Sequence, residues 1–223
     1  MTVSLQNSVG TLLTLLGLFP NLALAQKLSF GPIAGLAMST WRGADVRPAP
    51  GFRTGFAGGG FLRAGIHKYF ALEAQVLYAR KGTEVKSTIC SFPNTCQPLT
   101  VTWTQDYVEI PVLFSAVAPT LLAPTIFVGP AVAFQTSCTF RSSAGALRSA
   151  TCDSALAGPP PVIMRRTDAL LVFGGGFHLG QFALLARYDR GLTKFLVRQT
   201  TALDYKTRAW LLSAGYRLSL GRR

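Results

Sequence analysis

Charge is scarce in this chain, and acid is scarcer than base. Only 14% of the 223 residues are charged, and 9 Asp and Glu face 22 Lys and Arg, a formal net charge of +13. An ordinary soluble domain carries about 25% charged residues. Histidine occurs twice and cysteine four times, which leaves little material for imidazole or metal chemistry. Apolar residues are not lacking. At 49% of the chain they exclude a disordered protein, while 22 Gly and 13 Pro oppose a soluble helical bundle.

Long apolar runs exist, but none reads as a membrane helix. Residues 1–25 hold no Lys, Arg, Asp or Glu and carry an apolar stretch from Val9 to Phe19. They end in Ala23-Leu24-Ala25, an A-x-A pattern that predicts a cleaved export signal with Gln26 as the mature start. Pro20 and Asn21 cut that stretch to about half of the ~20 residues a helical span needs. The uncharged run Ile110–Gln135 contains Pro111, Pro119, Pro124 and Pro130, and Ala169–Ala186 contains Gly174, Gly175, Gly176 and Gly180. Each interior proline costs a helix about 3 kcal/mol and each glycine about 1.

Strands fit where helices fail. About eight period-two segments follow one another, over 28–39, 52–64, 69–81, 101–117, 125–138, 167–179, 182–192 and 205–219. In the third, Phe70, Leu72, Ala74, Val76 and Tyr78 share a face opposite Glu73 and Gln75. In the fourth, Val108, Ile110, Val112 and Phe114 alternate with Tyr107, Glu109 and Ser115. Short links (65–68, 118–124, 180–181) alternate with long ones (40–51, 82–100, 139–166, 193–204). A soluble sandwich or lipocalin-like barrel has no reason to put loop length on one side only. An antiparallel up-and-down transmembrane barrel of about eight strands does, with short periplasmic turns and long extracellular loops. The domain expectation is therefore a signal over 1–25 and one all-β barrel over 26–223.

The runs ALEAQVLYARKG (71–82), DYVEIPVLF (106–114), FVGPAVAF (127–134), LLVFGGGF (170–177), LLARYDRGLTKF (184–195) and LSAGYRL (212–218) carry a resemblance. Over residues 26–218 the chain resembles the Bacteroidetes-type outer-membrane β-barrel family, whose members are often labelled porin-family or PorT-like. That resemblance implies a bacterial outer-membrane location and this architecture. Ser213, Gly215, Tyr216 and Leu218 also resemble the polar-x-Gly-apolar-x-apolar signal read by the barrel-assembly machinery, with Leu218 in place of a terminal aromatic.

Cys90, Cys96, Cys138 and Cys152 allow three pairings, which sequence cannot choose among; local closure, Cys90 with Cys96 and Cys138 with Cys152, costs the least loop entropy. The C-x5-C and C-x13-C spacings, with no histidine nearby, do not suit zinc. No cofactor is expected. His67 and His178 map to the periplasmic ends of strands, as turn or interface residues, far from most serines. A lipid-modifying barrel esterase would need Ser, His and a carboxylate together, and ranks third among the functions.

Glu73, Glu109, Arg187 and Arg217 fall on the non-lipid faces of their strands, a barrel-interior cluster whose carboxylates require cationic partners. The lumen of eight strands is just wide enough for its own side chains. Arg42, Arg47, Lys86, Arg141, Arg148, Arg165, Arg166, Lys194 and Arg198 place basic charge in or beside the long loops. Outer-leaflet lipids and their glycolipid phosphates are the nearest anionic partners of an exported barrel, and nucleic acid is not expected. Two functions lead. One is a non-catalytic barrel with a surface-binding or envelope-stabilising role toward an unidentified surface ligand. The other is an accessory to a protein secretion or assembly system.

Overall fold

The computed structural model describes residues 28–44, 46, 50–91, 95–144, 149–157, 162–198 and 201–220. The expected signal segment, Arg47 and Arg148 lie outside the described residues. The strands are β1 (Leu28–Arg42), β2 (Gly51–His67), β3 (Phe70–Ser91), β4 (Thr95–Val117), β5 (Pro124–Ser142), β6 (Ser149–Thr151), β7 (Val162–Met164), β8 (Thr167–Leu179), β9 (Phe182–Gly191), β10 (Leu196–Arg198), β11 (Thr201–Leu203), β12 (Lys206–Tyr216) and β13 (Leu218–Leu220). Among the described residues a short helix, α1 (Cys152–Ala155), follows β6.

Eight of these strands close into a ring. The antiparallel order β1-β2-β3-β4-β5-β8-β9-β12 returns to its start through ten residue pairs, from Ile33 opposite Gly215 to Arg42 opposite Lys206. Closure leaves no open edge, and in lipid that is the condition for a sheet to survive, because every main-chain group must find a partner within the protein.

Alternation decides what the ring faces. Along β12, Thr207, Ala209, Leu211 and Ser213 are buried, while Arg208, Trp210 and Leu212 point out. The outward residues are the large apolar ones, such as Leu36, Val76 and Ile126, the last 69% exposed. That inverts the pattern of a soluble barrel and suits a hydrocarbon surround. Aromatic rows mark the two ends of this band. Phe173, Tyr188 and Trp210 adjoin one another toward the side of the long connections. Phe70 with Phe114, and Phe182 with Tyr216, do so toward the short turns.

Turn chemistry explains the periplasmic end. Gly180 has φ 58° in the two-residue link from β8 to β9, the positive value that a tight hairpin needs at its first central position. The glycine runs at 58–60 and 174–176 lie inside β2 and β8. At Gly174 a Cβ would come within 2.7 Å of the Phe127 ring, so the missing side chain makes room for that ring in the lumen.

The long connections differ from their sequence reading. Residues 82–100 were expected as a loop, yet β3 and β4 continue through them as a paired ribbon, from Val85 opposite Val101 to Cys90 opposite Cys96. Thr83, Val85, Thr88, Ile89, Thr100 and Val101 supply the β-branched side chains that extend it. The 139–166 connection contains β6, α1 and β7. With β10 and β11 from the 193–204 connection, β7 forms a second, three-stranded sheet.

Candidate functional site

The polar interior of the ring is the first place to look for chemistry. Inward positions of β3, β4 and β9 bring Lys81, Glu109, Arg187 and Asp189 together, all at most 4% exposed. Arg187 donates from Nη2 to Glu109 Oε2 at 2.6 Å and to Asp189 Oδ2 at 3.0 Å, and from Nη1 to Gln75 Oε1 at 3.2 Å. Lys81 Nζ donates to Asp189 Oδ2 at 2.8 Å and lies against Glu109 Oε1. The Lys81–Glu109 pair and Arg187 Nε–Asp189 Oδ1 at 2.9 Å are charge contacts rather than aligned hydrogen bonds.

Two cations thus meet two carboxylates in a neutral knot. Because β9 stands across the ring from β3 and β4, Arg187 bridges the lumen directly. The network continues toward the periplasm, where Gln75 donates to Glu73 at 2.6 Å and Arg63 pairs with Glu73 at 3.2 Å. Between these layers Ile33, Leu77, Leu113, Phe127 and Leu185 fill the remaining space.

Of the four residues singled out by sequence, Glu109 and Arg187 touch and Glu73 joins them through Gln75. Arg217 does not belong to the group: it sits at the periplasmic turn and donates to the Gly180 carbonyl at 2.7 Å. It keeps the inward parity of β12 but lies one residue beyond that strand's end, at the periplasmic opening beside Arg63 and Ser29, well below the layer of Glu109 and Arg187. Sequence reasoning placed Gln75 on the face of Glu73 without joining it to the cluster, and passed over Lys81, Asp189 and Arg63. Their signal was present, since Lys81 keeps the parity of Glu73 and Asp189 that of Arg187.

Aromatic packing closes the extracellular mouth. Trp41, Phe195, Leu196, Met164 and Cys152 are buried together, with Trp103 and Tyr205 against them. Trp41 lies 5.4 Å from Trp103 and 5.3 Å from Phe195 between ring centroids, and donates from Nε1 to Gln105 Oε1 at 3.1 Å. Two disulfides brace the same region. Cys90–Cys96 joins facing positions of the ribbon, and Cys138–Cys152 ties β5 to α1.

His178 lies at the periplasmic end of β8, as expected, with its imidazole turned into the lumen. It is 7% exposed inside the ring, beside Arg63, Glu73, Ser115 and Thr125. Hydrolytic chemistry does not follow. The Ser115 hydroxyl donates to the Ala71 carbonyl at 3.1 Å, Thr125 to the Ala116 carbonyl at 3.1 Å, and Glu73 is committed to Arg63 and Gln75. Among the described residues, no nucleophile is therefore aligned on this imidazole. His67 lies at the end of β2, against Tyr69 and Phe70.

The loop cations are dispersed. Lys86 pairs with Glu84 at 3.3 Å, Arg166 with Asp153 at 3.3 Å, and Lys194 lies 3.9 Å from Asp204. Arg42, Arg141, Arg165 and Arg198 are exposed. The Ala44 N–H donates to Asp204 at 3.0 Å and, with Lys194 and Lys206 nearby, holds that carboxyl below its ordinary range. On β12, Ser213 and Gly215 face the lumen and Tyr216 faces out. Leu218 lies beyond, on β13, opposite Phe30.

The family described as outer membrane protein beta-barrel domain matches residues 24–197. Comparison with curated proteins gives no match. Among solved structures, the chain is similar to the attachment invasion locus protein Ail of Yersinia pestis, with 15% identity, 86% of this chain and 99% of that chain covered, and a TM-score of 0.44. It is similar to Neisserial surface protein A, with 13% identity, 86% and 97% covered, and a TM-score of 0.46. OprG from Pseudomonas aeruginosa gives 9% identity, 87% and 98% covered, and a TM-score of 0.42.

Proposed function

We propose, for a chain that belongs to the outer membrane protein beta-barrel domain family and so resides in the bacterial outer membrane, a non-catalytic role in binding at the cell surface. The observation that supports this most is the contrast between a filled lumen and an ordered exterior. The Lys81–Glu109–Arg187–Asp189 knot crosses the interior, and the Trp41 cluster covers its outer mouth. Solute passage through the ring is therefore not its task. Outside, the ribbon, the three-stranded sheet and both disulfides build a stiff surface, and preorganisation of that kind favours binding.

The test removes the exterior and keeps the ring. Residues 85–100 are replaced by Asn-Gly, and full-length and trimmed proteins in vesicles are compared on arrays of acidic and neutral glycans. Retention by the full-length barrel, lost on trimming, supports surface binding. Equal behaviour of the two contradicts it. No feature of the described residues favours the secretion-accessory or lipid-modifying alternatives.

A further inference from the structure

Unlike the interior, where each cation meets an anion, the outer wall carries cations that face one another. Arg208 on β12 stands directly opposite Arg190 on β9, and Lys206 stands opposite Arg42 on β1. Arg190 and Arg208 share the outward face with Tyr188 and Trp210, and both are exposed. Directly opposed side chains have Cβ atoms about 4.5–5.5 Å apart, where like charges repel. Among the described residues, neither arginine has a carboxylate partner. Such an arrangement is stable where an anion from outside the chain lies between the two guanidinium groups.

The surroundings say what kind of anion. Two residues nearer the membrane centre, the Tyr188 and Trp210 rings lie 4.7 Å apart, and Phe173 adjoins Tyr188 at 5.1 Å. Rings of this kind occupy the boundary between acyl chains and headgroups. Two residues along a strand span about 6.6 Å, so the arginines stand one step outward, at headgroup level. A shallow cleft of about 360 Å³ runs from Arg42 and Arg208 to Trp210 and Tyr188, and Arg190 stands beside it, opposite Arg208. Guanidinium forks match phosphate oxygens two at a time, and the rings offer an apolar floor.

The geometry points to a docking site for a phosphate-bearing, acylated glycolipid of the outer leaflet on the wall formed by β9, β12 and β1. Its phosphate lies between Arg190 and Arg208 and its acyl chains rest on Tyr188 and Trp210. A free phosphate would satisfy only the arginines, and an uncharged lipid only the rings. The site also straddles the seam where β1 and β12 close the barrel, so the bound lipid clasps that seam. This inference goes beyond the surface-binding proposal and is independent of it, since it uses the lipid-facing wall rather than the extracellular ribbon.

The test uses the full mature barrel in phosphatidylcholine nanodiscs doped with a diphosphorylated acyl-glucosamine disaccharide or with its dephosphorylated form. Lipid retained after transfer to a zwitterionic detergent is counted by native mass spectrometry. The wild type is expected to retain the phosphorylated lipid at least about tenfold better than the dephosphorylated one. Arg190→Gln with Arg208→Gln should lower that retention by at least about tenfold, and Lys68→Gln, at the periplasmic turn between β2 and β3, should leave it unchanged. Inorganic phosphate should not displace the lipid. Equal retention of the two lipids, equal retention by the Arg190/Arg208 variant, or displacement by inorganic phosphate would each overturn the proposal. Should that variant fail to fold, the comparison of the two lipids on the wild type still decides.

Discussion

The ring and its extracellular extension are built from the same strands but held by different means. Within the ring, closure through β1 and β12 provides every strand with two neighbours, and no cross-link is present among the described residues. Above it, β3 and β4 continue as a two-stranded ribbon, and a lone pair of strands in water is marginal. There the protein uses covalent bonds and a buried aromatic cluster instead. The difference teaches that closure suffices where lipid surrounds a sheet, and that cross-links appear where water can compete for the main chain.

The comparison breaks most sharply at the interior charges. Arg187→Ala leaves Glu109 and Asp189 with Lys81 alone and should cost about 3–5 kcal/mol, the price of a buried carboxylate short of its partner. Glu109→Gln combined with Arg187→Met restores the balance around Lys81 and Asp189 and should recover part of the loss. Urea unfolding in lipid vesicles measures both. An Arg187→Ala barrel as stable as wild type would show that water reaches the knot.

Reduction should strike the other region and spare the ring. Cys138 and Cys152 lie 14 residues apart, and a link closing a loop of that size is worth about 3 kcal/mol. The effect is local: reducing agent should expose residues 139–166 to protease while the heat-modifiable gel mobility of the barrel stays unchanged. Loss of that mobility on reduction would mean that the extension holds the ring, contrary to the division drawn above.

The smallest expected effect is on pH. The Ala44 N–H and the neighbouring lysines hold the Asp204 carboxyl below its ordinary range, so this group titrates at lower pH in the folded protein than in the unfolded chain. Its contribution is present above the unfolded value and is lost as pH falls through the folded one. Acidification below pH ~4 should raise amide exchange at Ala44 before that of β1, and Asp204→Asn should remove this acid dependence.

Alternation made the ring legible in the sequence, and it assigned Glu109 and Arg187 to the lumen, because parity along a strand does not depend on neighbours. It did not show that these two touch. Contact across a barrel depends on the stagger between strands, which parity does not record. Lys81 escaped notice because it closes the expected third strand beside Gly82, where a turn residue reads as naturally as a lumen residue. The ribbon was missed for a related reason. Gly82, Cys90, Pro93, Cys96 and Pro98 read as loop punctuation, yet Pro98 is tolerated in a two-stranded ribbon whose edges need no donor. Arg190 and Arg208 were legible as outward residues, but only the register shows that they stand opposite each other.

A filled and covered lumen is the central claim, and conduction tests it most directly. Planar bilayers containing residues 26–223 should show no stable channel of porin size, before or after reduction of the disulfides, because the knot around Arg187 lies inside the ring rather than in the extension. Large, steady, weakly selective currents from the wild type would contradict the account.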